Sequence, residues 1–116
     1  MSYTIRLIGQ KCETCGLVPE EPDLPDPTYN LAPIFAAVFP KQNDTAGLYG
    51  LSGKKASDTC EMLTLALERL SDPACEKSFR ALEPLNGWDT LETAIEVIFE
   101  LKNAAHQYPN HTWEIS

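Results

Sequence analysis

Between Pro19 and Pro27 the chain reads Pro-Glu-Glu-Pro-Asp-Leu-Pro-Asp-Pro, four prolines and four acids in one short stretch. Proline lacks the N–H that a helix interior or a central strand needs, and it holds the residue before it out of the helical region. No regular element can cross such a stretch. The fold must therefore be assembled from a short piece before it and a long piece after it. Residues 19–29 join the two as an exposed, stiff, acidic connector with polyproline character. Pro19 and Pro22 have the spacing of a proline-motif ligand, but acids stand beside them instead of arginine, which points to a spacer.

The piece before the connector alternates. Tyr3, Ile5 and Leu7 share one face and Thr4, Arg6 and Ile8 the other, which predicts a strand. Gly9 to Gly16 reads as a turn, and Leu17-Val18 as a short return strand that Pro19 limits. After the connector the period changes to that of a helix. Asn30 is placed to cap a short helix with Pro33 in its first turn, the stripe Leu31, Ile34, Phe35, Val38 and Phe39, and a stop at Pro40. Gly47, Gly50 and Gly53 punctuate a loop whose Leu48, Tyr49 and Leu51 tuck beneath it. Ser52 then caps a helix over 53–70 with the stripe Ala56, Cys60, Leu63, Ala66, Leu67 and Leu70.

Asp72-Pro73 starts a short helix through Leu82, with Phe79 and Leu82 inward. Asp89 and Glu92 fit a capping box for a last helix from Thr90 to about Gln107. Its inward residues are Leu91, Ala94, Ile95, Ile98, Leu101 and Ala105. Val97 and Phe99 widen that surface, so this helix is expected to be central. Thr112 to Ile115 is a closing strand whose simplest home is beside the first. The expected fold is α+β: three main helices and a short one on a small antiparallel sheet made by the N- and C-terminal strands, in a single domain over 1–116.

Seventeen acids against nine bases give a formal charge of −8 and a pI near 4.6. Phosphates must be neutralised by Lys and Arg, so this balance argues against direct nucleic-acid binding and against anionic membranes. It permits simple solubility (the plainer reading), docking on a basic protein surface, or imitation of a nucleic acid's charge. No leader pattern or membrane-length apolar run is visible, so a cytoplasmic setting with reduced thiols is expected.

Cys12-x-x-Cys15 followed by Gly16 has the spacing of half a tetrahedral zinc site, because a tight turn aims both sulfurs at one point. A second pair is missing. Cys60, Cys75, His106 and His111 would have to be brought in by the fold. A hairpin turn whose cysteines have no special role is the plainer reading, and a redox motif would need a helix after it. Gly53, Lys54 and Lys55 lack the full phosphate-loop pattern but would put backbone N–H groups and two cations at a helix start, a candidate anion site. A tight loop between helices is the plainer reading there. Asp89, Glu92, Glu96 and Glu100 recur at spacings of three and four along the last helix, an acidic stripe suited to a basic partner. A solvated face is its plainer reading. Trp88 before the last helix reads as a hydrophobic staple. Ser57 and Thr59 have no catalytic partners in view, so the chain is not expected to be an enzyme.

Thr28-Tyr29-Asn30-Leu31, then Gly47-Leu48-Tyr49-Gly50-Leu51-Ser52-Gly53, Asn86-Gly87-Trp88 and the closing Tyr108-Pro109…Thr112-Trp113 together resemble a group of small uncharacterised proteins of bacteriophages, prophages and some bacterial genomes. The resemblance spans residues 28–116 and carries no catalytic assignment. It implies a phage-type accessory factor that binds and blocks a host protein, including defence nucleases. Two other classes stand beside it. One is a small metal- or anion-binding domain built on Cys12 and Cys15 or on the 50–55 loop. The other is a structural subunit of a homo-oligomer.

Overall fold

The alternating N-terminal segment becomes a strand because a partner is available to bury one of its faces. In a computed structural model, which describes residues 3–9, 16, 22–39, 47–83 and 90–116, strand β1 (Ile5–Ile8) pairs antiparallel with β2 (Thr112–Ile115). Ile5 lies opposite Ile115 and Leu7 opposite Trp113. These four side chains form the buried face. Arg6 and Glu114 face each other on the solvent side with an N–O separation of 3.8 Å. Thr4 and Ser116 extend the ladder by exchanging backbone bonds of 2.9 and 3.0 Å. The return strand expected at Leu17-Val18 lies outside the described residues.

The other edge of β2 is not open. Gly53 donates its N–H to the Trp113 carbonyl at 2.8 Å, and Trp113 donates to the Lys54 carbonyl at 2.9 Å. Gly53 sits at φ +84°, a backbone conformation that suits glycine and lets the chain turn out of the preceding 3₁₀ turn (Gly47–Leu51) to lie along β2. Helix α2 therefore begins at Ala56 and runs to Ser71, later than expected, and Ser52 does not cap it. The N–H groups of Ala56 and Ser57 bond instead to the carbonyls of His111 (2.7 Å) and Pro109 (2.9 Å), which precede β2. Ser52 uses its hydroxyl to accept the Ile115 N–H at 3.2 Å.

Helix α1 (Ala32–Val38) also starts later than expected. Asn30 is exposed within a 3₁₀ turn (Tyr29–Leu31) and offers no cap bond. Its stripe is as expected: Leu31, Ile34, Phe35, Val38 and Phe39 are all buried. Gly47 lies against this helix with φ +66°, and a Cβ there would meet Phe35 Cβ at 3.4 Å. Leu48 and Leu51 reach the core, whereas Tyr49 remains 37 % exposed. Helix α3 (Pro73–Arg80) starts at Asp72, whose Oδ1 accepts the Ala74 N–H at 2.9 Å. It stops short of Leu82, which is 37 % exposed instead of inward.

Helix α4 (Leu91–Gln107) packs on α2, the most extensive helix pairing among the described residues, and runs antiparallel to it: the chain just after α4 bonds the start of α2, and Leu91 and Ile95 lie by its end. The expected capping box is shifted by one residue. Thr90 Oγ1 accepts the Thr93 N–H and Thr93 Oγ1 accepts the Thr90 N–H, both at 3.4 Å, while Asp89 lies outside the described residues. Leu91, Ala94, Val97, Ile98, Leu101, Ala104 and Ala105 face the core; Phe99 is 51 % exposed, so the outer side of α4 is uncovered there. The connector is more than a spacer. Pro27 is buried and accepts the Tyr3 N–H at 2.8 Å, and Leu24 packs against the core.

Thr59 is the only buried polar side chain among the described residues. It accepts the Trp113 indole N–H at 2.8 Å and donates to the Ala56 carbonyl at 2.8 Å. A buried indole N–H without a partner is costly, so this pairing is part of what lets Trp113 sit in the core. No helix among the described residues is long and apolar enough to cross a membrane.

Candidate protein-binding surface

A spacing of four places Glu92, Glu96 and Glu100 in one line along α4, on the side away from the packed stripe. All three are exposed. They are not equivalent. Arg80, at the end of α3, reaches across to Glu92 in a bidentate contact, with Nη1 3.4 Å from one carboxylate oxygen and Nη2 on the other. The same guanidinium bonds Glu76 at 2.9 Å and lies 3.5 Å from Glu83. The hydrogen bond from Arg80 is the main cause that holds the Glu92 carboxyl down at about 2, with the backbone N–H at the helix start and Thr90 assisting. The Arg80 guanidinium is held correspondingly further toward its charged form by Glu92 and Glu76. Glu92 is therefore a strut between α3 and α4, and the expected acidic stripe loses it.

Glu96 and Glu100 are joined by a residue that helix spacing does not reveal. Because Pro27 is pinned to Tyr3, the connector runs beside α4. Pro25, Asp26, Pro27 and Thr28 face Thr93, Glu96, Val97 and Glu100 across a shallow groove of about 270 Å³. Asp26, Glu96 and Glu100 are exposed carboxylates around this one groove. The sequence signal for Asp26 is only its place in an acidic proline-rich run; its position relative to α4 is tertiary.

The candidate anion site loses most of its backbone component. The N–H of Gly53 goes to Trp113, that of Lys54 to Leu51 at 3.0 Å, and those of Ala56, Ser57 and Asp58 to His111, Pro109 and Lys55. Five donors that could cradle an anion are thus spent on carbonyls, beside the exposed Lys55 and half-buried Lys54 side chains. Cys12 and Cys15 lie outside the described residues. Cys60 and Cys75 are half-buried free thiols on α2 and α3. Cys60 Sγ is 3.6 Å from the Ala56 carbonyl. Among the described residues no three His, Cys, Asp or Glu side chains converge as metal ligands. The Thr59 hydroxyl is committed to structure in both directions. Trp88, the expected staple, lies outside the described residues.

Compared with models of known protein families, with curated proteins and with solved structures, the chain gives no match.

Proposed function

We propose that this chain is a non-enzymatic protein-binding factor that presents an acidic surface to a basic partner. The observation that carries the reading is the groove where Asp26 from the connector meets Glu96 and Glu100 of α4, three exposed carboxylates on a chain of net charge −8. Such a surface favours a complementary basic face and speeds encounter with it, while repelling nucleic acid. In the setting that the phage-type resemblance implies, the partner is a host protein, and the action is to block it. The test is affinity capture of a partner from host lysate with mass spectrometry, followed by titration calorimetry with that partner. Glu96→Lys with Glu100→Lys is expected to weaken binding at least about tenfold, and added salt to weaken the native complex. Unchanged affinity in the double variant rejects the surface assignment.

A further inference from the structure

A second face of the molecule combines apolar and acidic groups differently. Residues of α1 and α2 line an outward-facing groove of about 650 Å³. Ala36 and Ala37 of α1 form one wall, both small and exposed. Met62 and Leu65 of α2 form the other, and Leu65 is 53 % exposed. Asp58, Glu61 and Glu68 edge the α2 side, and among the described residues the one cation on the rim is Arg69, at the far end from Asp58. From Asp58 to Arg69 is eleven helical steps, about 16 Å, roughly three turns of an α-helix.

We propose that this groove receives one amphipathic helix of a basic partner protein. Its apolar anchors would lie on Met62 and Leu65, and its flanking lysines or arginines would meet Asp58, Glu61 and Glu68. Each element of the groove selects for that occupant. Alanines on α1 let a helix backbone approach closely. Methionine adapts its shape to apolar side chains spaced three and four apart. The acidic rim selects the charge of the flanks. The same rim disfavours a second copy of this chain, itself at −8, and an anionic lipid surface. The inference rests on the protein-binding reading above but uses a different face, so the two can fail separately.

The test uses the full chain, isotope-labelled, titrated with a synthetic peptide of about four turns that carries leucines at i, i+4 and i+7 with Lys and Arg flanks. A control peptide carries glutamates in the flanks. Shifts at Ala36, Ala37, Met62 and Leu65 are expected with the basic peptide, with a dissociation constant in the micromolar range. Leu65→Ser, at an exposed site that the fold does not need, is expected to weaken binding at least about tenfold. Glu61→Lys with Glu68→Lys should do the same, and Glu96→Lys with Glu100→Lys should leave it unchanged. The proposal is overturned by no binding up to about 1 mM, by equal binding of the acidic peptide, or by self-association through Leu65 in sedimentation. Loss of peptide binding only in the Glu96 and Glu100 variant overturns the groove while leaving the protein-binding reading in place.

Discussion

Helices α2 and α4 pack against each other over their lengths, yet they begin in opposite ways. The first turn of α4 is closed from nearby in the chain: Thr90 and Thr93 satisfy each other's N–H groups across three residues, and Glu83 accepts the Leu91 N–H at 3.0 Å from eight residues away. The first turn of α2 has no side-chain cap. Its donors are satisfied by carbonyls of Pro109 and His111, more than fifty positions away in the chain. Helix α2 thus begins only when β2 is in place, and β2 is held in turn by Thr59 of α2 through the Trp113 indole. One end of the molecule is a cooperative knot of sheet, helix start and chain terminus. The other is a helix start whose caps all come from within eight residues of chain. A local cap tolerates loss of its partner helix; a tertiary cap does not.

Trp113→Ala is the largest blow to this arrangement. It empties a buried site in the sheet face and removes the Thr59 bond, and a destabilisation of about 3–5 kcal/mol is expected in urea denaturation. That is a large share of the 5–15 kcal/mol typical of such domains. Hydrogen exchange at the Ala56 and Ser57 amides should rise with it. If those two amides stay protected while stability falls by less than about 1 kcal/mol, α2 does not depend on β2 and the contrast with α4 is wrong.

Thr90→Ala probes the local end, with a smaller effect. Both bonds of the box are long at 3.4 Å, so a loss near the lower end of the usual capping range, about 0.5–1 kcal/mol, is expected. Faster exchange should be confined to the first turn of α4. Equal acceleration at Ala56 and Ser57 would show that the two helix starts form one unit after all.

The same contrast explains which features were legible from residues alone. The period-two strands at both ends, the five-residue stripe of α1 and the inward stripe of α4 depend on spacing within one element, and they stand as expected. The start of α2 was misplaced because Ser52 has the chemistry of a cap but spends it on Ile115, while the actual acceptors come from beyond α4. Asn30 and Leu82 misled for a related reason. A capping residue marks where a helix is permitted to begin, and a leucine after a helix is buried only if some other element covers it. Among the acids, spacing correctly put Glu96 and Glu100 on an exposed line but said nothing of Arg80 or Asp26. The groove between α1 and α2 escaped for the same reason, since Ala36 and Leu65 belong to different elements and neither stands out alone.

The subtlest break in the comparison lies at the Arg80 strut, which ties α3 to the locally capped end of α4. Both partners are exposed, so the pair is expected to add little to stability, and high salt should screen it further. Its clearest signature is titration. The Glu92 carboxyl sits at about 2 against an ordinary 4.5, a depressed folded value. Whatever the pair contributes is therefore fully present above about pH 4.5, and it is lost as pH falls through that window toward 2. In Arg80→Gln, carboxyl-detected NMR should show the Glu92 midpoint rising back toward the ordinary range. A Glu92 midpoint indifferent to Arg80 would return that carboxylate to the open acidic line of α4, and the binding surface would then span all three glutamates.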